Sequence, residues 1–154
     1  MDVWLRDPEG DGPLYLTEKQ QHFFGVMEDY KHSAFIGGQG SGKTVTLCAS
    51  VAKYLLTRPK SEWLLGRYNY RGLVSVTWRT MMRILPPEVI LYRCDTPQYL
   101  MAVLKNSSIL HGWNMSQWEK YAGLNLDGIG IDEVTEQREK IGWQQGCARL
   151  RGKR

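Results

Sequence analysis

Apolar residues along this chain keep two rhythms, and the alternation between them predicts the architecture. Leu47, Cys48, Val51, Ala52 and Leu55 recur at helical spacing until Pro59, and Val74, Trp78, Met81, Met82 and Leu85 do so until Pro86-Pro87. Each set marks one buried helical face. Short apolar runs at residues 34–36, 63–65, 99–104 and 108–110 predict buried strands, the last two joined hairpin-fashion at Lys105-Asn106-Ser107. Thr17 is placed to cap a helix running to about Met27, and Asn114 or Ser116 to cap a short one carrying Met115, Trp118 and Tyr121, closed by Gly123. Residues 1–15, with Pro8, Gly10, Asp11, Gly12 and Pro13, carry turn chemistry with little periodicity. They predict an N-terminal arm ahead of one domain over 16–154. Strands interleaved with helices place that domain in the α/β class.

Composition narrows the setting. A chain of 154 residues with 42% hydrophobic content suits one domain with a real core. There is no apolar run of about 18 residues, so no membrane span is expected. The acidic start, Met1-Asp2-Val3-Trp4-Leu5-Arg6-Asp7, lacks the apolar core of a signal peptide, which predicts a cytoplasmic protein. Cys48, Cys94 and Cys147 are odd in number, far apart and outside any C-x-x-C pair, arguing against a disulfide framework or a zinc site and for buried small hydrophobes. The net charge of +4 permits a polyanionic partner. Part of it sits at Arg149, Arg151, Lys153 and Arg154, which reads as a solvated tail or as a nucleic-acid contact.

The chemistry begins at Gly37-Gly38-Gln39-Gly40-Ser41-Gly42-Lys43-Thr44, a match to G-x-x-x-x-G-K-[S/T] between a predicted strand and a predicted helix. Glycines there let successive backbone N–H groups turn inward toward phosphates, and the helix start adds its own N–H groups and positive dipole end. In that context Lys43 reaches the β- and γ-phosphates and the Thr44 hydroxyl ligates Mg²⁺. A glycine-rich surface turn that happens to carry Lys and Thr is the alternative. Upstream, Gln20 offers a carboxamide whose donor and acceptor match the N6 and N7 edge of adenine, or else it is a solvent-facing glutamine.

Leu126-Asp127-Gly128-Ile129-Gly130-Ile131-Asp132-Glu133 is a strand-like run ending in two carboxylates. In a nucleotide site Asp132 holds Mg²⁺ through its water shell and Glu133 orients and deprotonates the attacking water. The long interval after Lys43 leaves room for an extra strand between the two motif strands. With the added glutamate, it favours P-loop ATPases that carry a built-in base, the ASCE type, with a mainly parallel sheet flanked by helices. Gly128 and Gly130 are unusual in such a strand, where glycine weakens the interior. Arg67, at the carboxyl end of the second strand, with Tyr68, Tyr70, Arg71, Arg79 and Arg83, forms either a DNA-facing surface or a solvated helix face.

Taken in order, these pieces resemble the large terminase subunit of tailed bacteriophages, the motor that packages DNA into procapsids. The resemblance covers roughly residues 14 to 152. It rests on Leu16-Thr17-Glu18-Lys19-Gln20, on the loop from Phe35 to Thr44 with its Gly-Gly start, and on Gly66-Arg67 with Arg71-Gly72-Leu73. The run from Tyr121 to Glu136 is the closest match, and Cys147-Ala148-Arg149-Leu150-Arg151 completes the set.

The resemblance implies an ATPase using ATP and Mg²⁺ and acting on double-stranded DNA. It implies a small terminase subunit and a portal protein as partners, and a homo-oligomeric ring in the host cytoplasm. Many terminases have arginine where this chain has Gln39, so the role passes to another arginine, Arg149 or Arg151 acting on a neighbouring subunit. Terminases continue with a coupling motif, a lid and a nuclease domain, none of which fits after Arg154. The resemblance thus implies a partial ATPase domain, incomplete at its C-terminus and without the nuclease domain, that binds ATP with or without turnover. A helicase- or recombination-type P-loop ATPase and a non-hydrolysing nucleotide-binding module are the rival readings.

Overall fold

The computed structural model describes residues 5–97, 99–121, 123–136 and 141–150. Five strands form one sheet: β1 Glu62–Arg67, β2 Ile90–Thr96, β3 Tyr99–Leu104, β4 Ile109–Asn114 and β5 Gly128–Ile131, in the order β2-β3-β4-β1-β5. β1 pairs in parallel with β4 and β5, whereas β3 runs antiparallel to both β2 and β4. The α/β class therefore holds. The sheet is mixed, with its parallel half where the two motifs lie.

Strand alternation sends neighbouring side chains of β1 to opposite faces. Trp63 and Leu65 join the larger core, with Leu100, Ala102, Leu104 and Leu110. Leu64 joins the smaller one, with Trp113, Met115, Tyr121 and Leu126. Two helices cover the larger core. α2, Lys43–Thr57, buries Cys48, Val51, Ala52 and Leu55 as the periodicity predicts. α3 is the run of Tyr70–Gly72, a π-helical stretch Leu73–Trp78, and Arg79–Ile84. The π stretch, bonded i to i+5, shifts the register of the buried face. Leu73 is thus buried where Val74 was expected, and Val74 is exposed.

The other face carries the 3₁₀ turns of Met115–Tyr121 and a last helix, α4, Ile141–Ala148. Ahead of these, α1 spans Glu18–Asp29 behind a capping box. The Thr17 hydroxyl accepts from the Gln20 N–H, and the Gln20 side chain accepts from the Thr17 N–H. Residues 6 and 13 pair in an antiparallel bridge, and the Arg6 N–H donates to the Ile84 carbonyl, tying this segment to the end of α3. Among the described residues no helix is long and apolar enough to cross a membrane.

Two expectations need correction, and one strand was not expected. Residues 34–36 form no strand. They pair with no neighbour, and Ile36 is 93% exposed. An apolar run becomes a strand only where a second backbone accepts its hydrogen bonds. Conversely, β2 escapes a search for alternation because it is an edge strand with Leu91 and Tyr92 exposed. Of the three free cysteines only Cys48 is fully buried, while Cys94 and Cys147 are half-buried.

Candidate nucleotide and metal site

The site is assembled where the start of α2 meets the carboxyl ends of β1 and β5. Gly40 and Gly42 take φ of 75° and 74°, a left-handed backbone that glycine adopts at no steric cost. Gly37, Gly38, Gln39, Gly40 and Ser41 are exposed. Gly42 caps α2 with no side chain of its own, so nothing from a cap side chain covers the first-turn N–H groups or the positive end of the helix. Lys43 Nζ donates back to the Gly38 carbonyl at 3.0 Å and stands 4.0 Å from Glu133 Oε1.

Gln20 lies against this loop. Its carboxamide oxygen accepts from Thr17, and a Cβ added at Gly42 would stand 2.7 Å from its Nε2. The first helix and the phosphate loop therefore touch through a glutamine that is nearly buried.

Asp132 follows β5 directly, its N–H donating to the Gly66 carbonyl of β1 at 2.9 Å. Its carboxylate is 3% exposed. The Thr44 hydroxyl donates to both of its oxygens, at 3.2 and 3.1 Å, across 88 positions of sequence. The two predicted metal residues thus share one place. Glu133 adopts φ 48°, a left-handed conformation that costs a non-glycine residue free energy and is found where surrounding structure enforces it, often at functional positions. Among the described residues no three His, Cys, Asp or Glu side chains converge on one point. This donor set, one hydroxyl and one carboxylate, fits Mg²⁺, which keeps several waters and takes its remaining ligands from phosphates.

Gly128 and Gly130 now have a reason. A Cβ at Gly128 would stand 2.2 Å from the Trp63 ring, and one at Gly130 would stand 2.9 Å from Val51 and 3.1 Å from Leu47 of α2. The bare Gly128 makes room for the Trp63 ring of β1, and the bare Gly130 lets α2 press against β5, on whose end Thr44 meets Asp132.

Other partners within the site were not legible in the sequence. Arg67 is drawn inward, its Nη1 3.5 Å from Asp132 Oδ2 and its Nε and Nη2 gripping Glu136 at 3.2 and 2.6 Å. This hydrogen bonding raises the Arg67 pKa and lowers that of Glu136. Gly72 makes room for it, since a Cβ there would stand 2.6 Å from Arg67 Nε. Thr77 donates to Asp132 Oδ2 at 2.7 Å. Beside it, burial and the charge of Asp132 push the Cys48 thiol well above the usual range.

Arg149 lies elsewhere. Its carbonyl accepts from the Leu126 N–H, before β5 begins, at the opposite end of that strand from Asp132. Arg151 lies outside the described residues. The expected surface of Arg67, Tyr68, Tyr70, Arg71, Arg79 and Arg83 is also rearranged. Arg67 turns into the site and Tyr70 packs on the core, while Arg71, Arg79 and Arg83 stay exposed on α3.

No family model matches the sequence, and no curated protein resembles it closely enough to count as a relative. Solved structures do. The large terminase of a thermophilic bacteriophage, in one crystal form, superposes with a TM-score of 0.70 at 18% identity, over 90% of this chain and 37% of that one. A second crystal form of the same terminase gives 0.65 at 19% identity, over 89% and 35%. The large terminase ATPase domain of Thermus phage P74-26 gives 0.52 at 15% identity, over 72% and 51%. The fold is that of the phage large terminase ATPase domain, a P-loop NTPase fold. The chain spans little more than a third of the first of these terminases.

Proposed function

We propose that this chain is the ATP-binding part of a DNA-packaging motor. It takes Mg·ATP at the loop from Gly37 to Thr44 and, within a ring of copies, couples hydrolysis to movement of double-stranded DNA into a procapsid. A small terminase subunit and a portal protein are the partners this reading carries, in the cytoplasm of a host cell. The observation that supports it most is the meeting of Thr44 with Asp132. A glycine-rich surface turn would have no reason to bring those side chains together.

The geometry supports the following roles. Lys43 exchanges the Gly38 carbonyl for phosphate oxygens. Gln20, pressed on the loop, faces the base. The Thr44 hydroxyl and Asp132 would hold Mg²⁺, which would supply charge neutralisation on the phosphates. Glu133, next in sequence and held at its strained φ, orients a water and takes its proton. Arg67 is held by Asp132 and Glu136, and Arg149 is at the far end of β5. The arginine that steadies charge in the transition state is then supplied, in this reading, by a neighbouring copy, as Arg149 or Arg151. A lone chain is then a nucleotide-binding module with little turnover, because losing such a group costs orders of magnitude in rate.

Fluorescent-nucleotide binding and phosphate release test this. Lys43→Ala is expected to weaken nucleotide binding at least tenfold. Glu133→Gln is expected to keep binding in the lone chain, while phosphate release by assembled chains falls by about two orders of magnitude or more. Binding that survives Lys43→Ala would end the proposal.

A further inference from the structure

The middle of α3 is π-helical, a distortion that recurs at functional sites because it changes which side chains face inward. The polar side chain it turns inward is Thr77, fully buried. Two residues earlier, the Ser75 hydroxyl donates to the Arg71 carbonyl of its own helix, the usual local partner of a helical hydroxyl. Thr77 instead donates out of the helix to Asp132 Oδ2 at 2.7 Å, shorter than either bond from Thr44. Its carbonyl accepts from Cys48 Sγ of α2 at 3.5 Å. One residue thus ties two helices to the carboxylate.

The two oxygens of Asp132 are unequally held. Among the described residues, Oδ2 receives Thr77, Thr44 and the Arg67 guanidinium, while Oδ1 receives Thr44 alone. When the Thr44 hydroxyl turns to an ion, Oδ1 is the oxygen released and Oδ2 the one that stays anchored. We propose that Thr77 is a positioning residue for the metal site: its hydrogen bond fixes the Asp132 carboxylate so that Oδ1 faces the divalent ion beside Thr44. This rests on the nucleotide-site reading above. Partners that orient a metal-binding carboxylate from behind typically change metal affinity by about 10- to 100-fold when removed.

A graded series tests it. Thr77→Ser keeps the hydroxyl, Thr77→Cys keeps a weak donor, and Thr77→Val keeps the volume without a donor. Three quantities are measured on the whole chain: Mn²⁺ affinity in the presence of ATP, ATP affinity in EDTA, and the urea midpoint. Thr77→Val is expected to weaken Mn²⁺ at least tenfold and Thr77→Cys by less. Thr77→Ser should stay within about threefold of the parent, with ATP affinity in EDTA equal throughout. If Thr77→Val does not fold, the order of Ser over Cys decides.

Equal Mn²⁺ affinity across the folded variants would overturn the proposal, and so would a loss in Thr77→Ser as large as in Thr77→Val. A parent chain that binds no metal-nucleotide would overturn the site reading together with this one, whereas normal parental binding with an indifferent Thr77 would overturn this one alone.

Discussion

At the scale of single residues, Arg67 and Glu136 show how a site can be built from partners that sequence leaves far apart. The guanidinium reaches across 69 positions to grip Glu136 with two nitrogens, and its remaining edge faces Asp132. Hydrogen bonding to Arg67 holds the Glu136 carboxyl below its ordinary value of 4.5. A depressed carboxylate pKa contributes stability that is present above the ordinary value and lost as pH falls through the folded one. Urea midpoints measured from pH 7 to pH 3 should therefore fall more steeply below about 4.5 in the parent chain than in Glu136→Gln. The difference should stay below about 1 kcal/mol, because Glu136 is partly exposed. Coincident profiles would show that the pair contributes nothing to folding.

The same scale explains what the sequence disclosed. Gly37 to Thr44 and Asp132-Glu133 are legible because each places its chemistry on adjacent residues. Arg67 is legible only as an arginine at a strand end. Thr77 and Glu136 are not legible, since their partners lie 55 and 69 positions away and are supplied by tertiary pairing alone. A threonine four residues from both Leu73 and Met81, on a stripe otherwise apolar, is the one hint the chain carried.

At the scale of elements, α1 to α3 were readable from their faces and ends and α4, Ile141–Ala148, was not, whereas strands depended on neighbours. α1 illustrates the first case. Its moderate apolar face would leave it marginal alone, since most helical stability comes from tertiary packing, and its start is fixed by Thr17 and Gln20 bonding reciprocally. That same Gln20 meets the phosphate loop at Gly42, so the cap also sets where the glutamine stands. Thr17→Ala should cost about 1 kcal/mol in chemical denaturation, the usual value of a lost cap. It should also weaken nucleotide binding by up to a few fold, as Gln20 keeps the Thr17 N–H but loses the hydroxyl as a second donor. Thr17→Ser should restore both. A stability loss with unchanged nucleotide affinity would detach the cap from the site. Residues 34–36 illustrate the second case, an apolar triplet with strand composition and no ladder to join.

Across the whole molecule, the candidate site and the exposed arginines lie on opposite sides of one helix. The inner face of α3 delivers Thr77 to Asp132, while its outer face, with β2 and β3, borders a groove of about 470 Å³ whose polar lining includes Ser75, Arg79, Arg83, Arg93 and Asp95. Asp95 is already engaged, accepting from Trp78 Nε1 at 2.8 Å and paired with Arg93. Arg79 has no ion-pair or hydrogen-bond partner among the described residues, and Arg83 donates only to the Pro8 carbonyl, which tethers the turn bearing Asp7 and Glu9 at that end.

If duplex DNA follows this groove, its phosphates meet Arg79 more freely than Arg83. Removing one arginine that neutralises a phosphate should reduce the slope of log affinity against log salt by about 0.9. Anisotropy titrations of a labelled duplex between 50 and 200 mM salt (about fourfold) are expected to show the slope shrink by more than about 0.9 but less than about 1.8 in Arg79→Ala/Arg83→Ala. The Arg79→Ala single change should account for more of the loss, and Lys43→Ala should leave the slope alone. A slope untouched by the double change would place the duplex on another face and leave α3 serving the nucleotide side only.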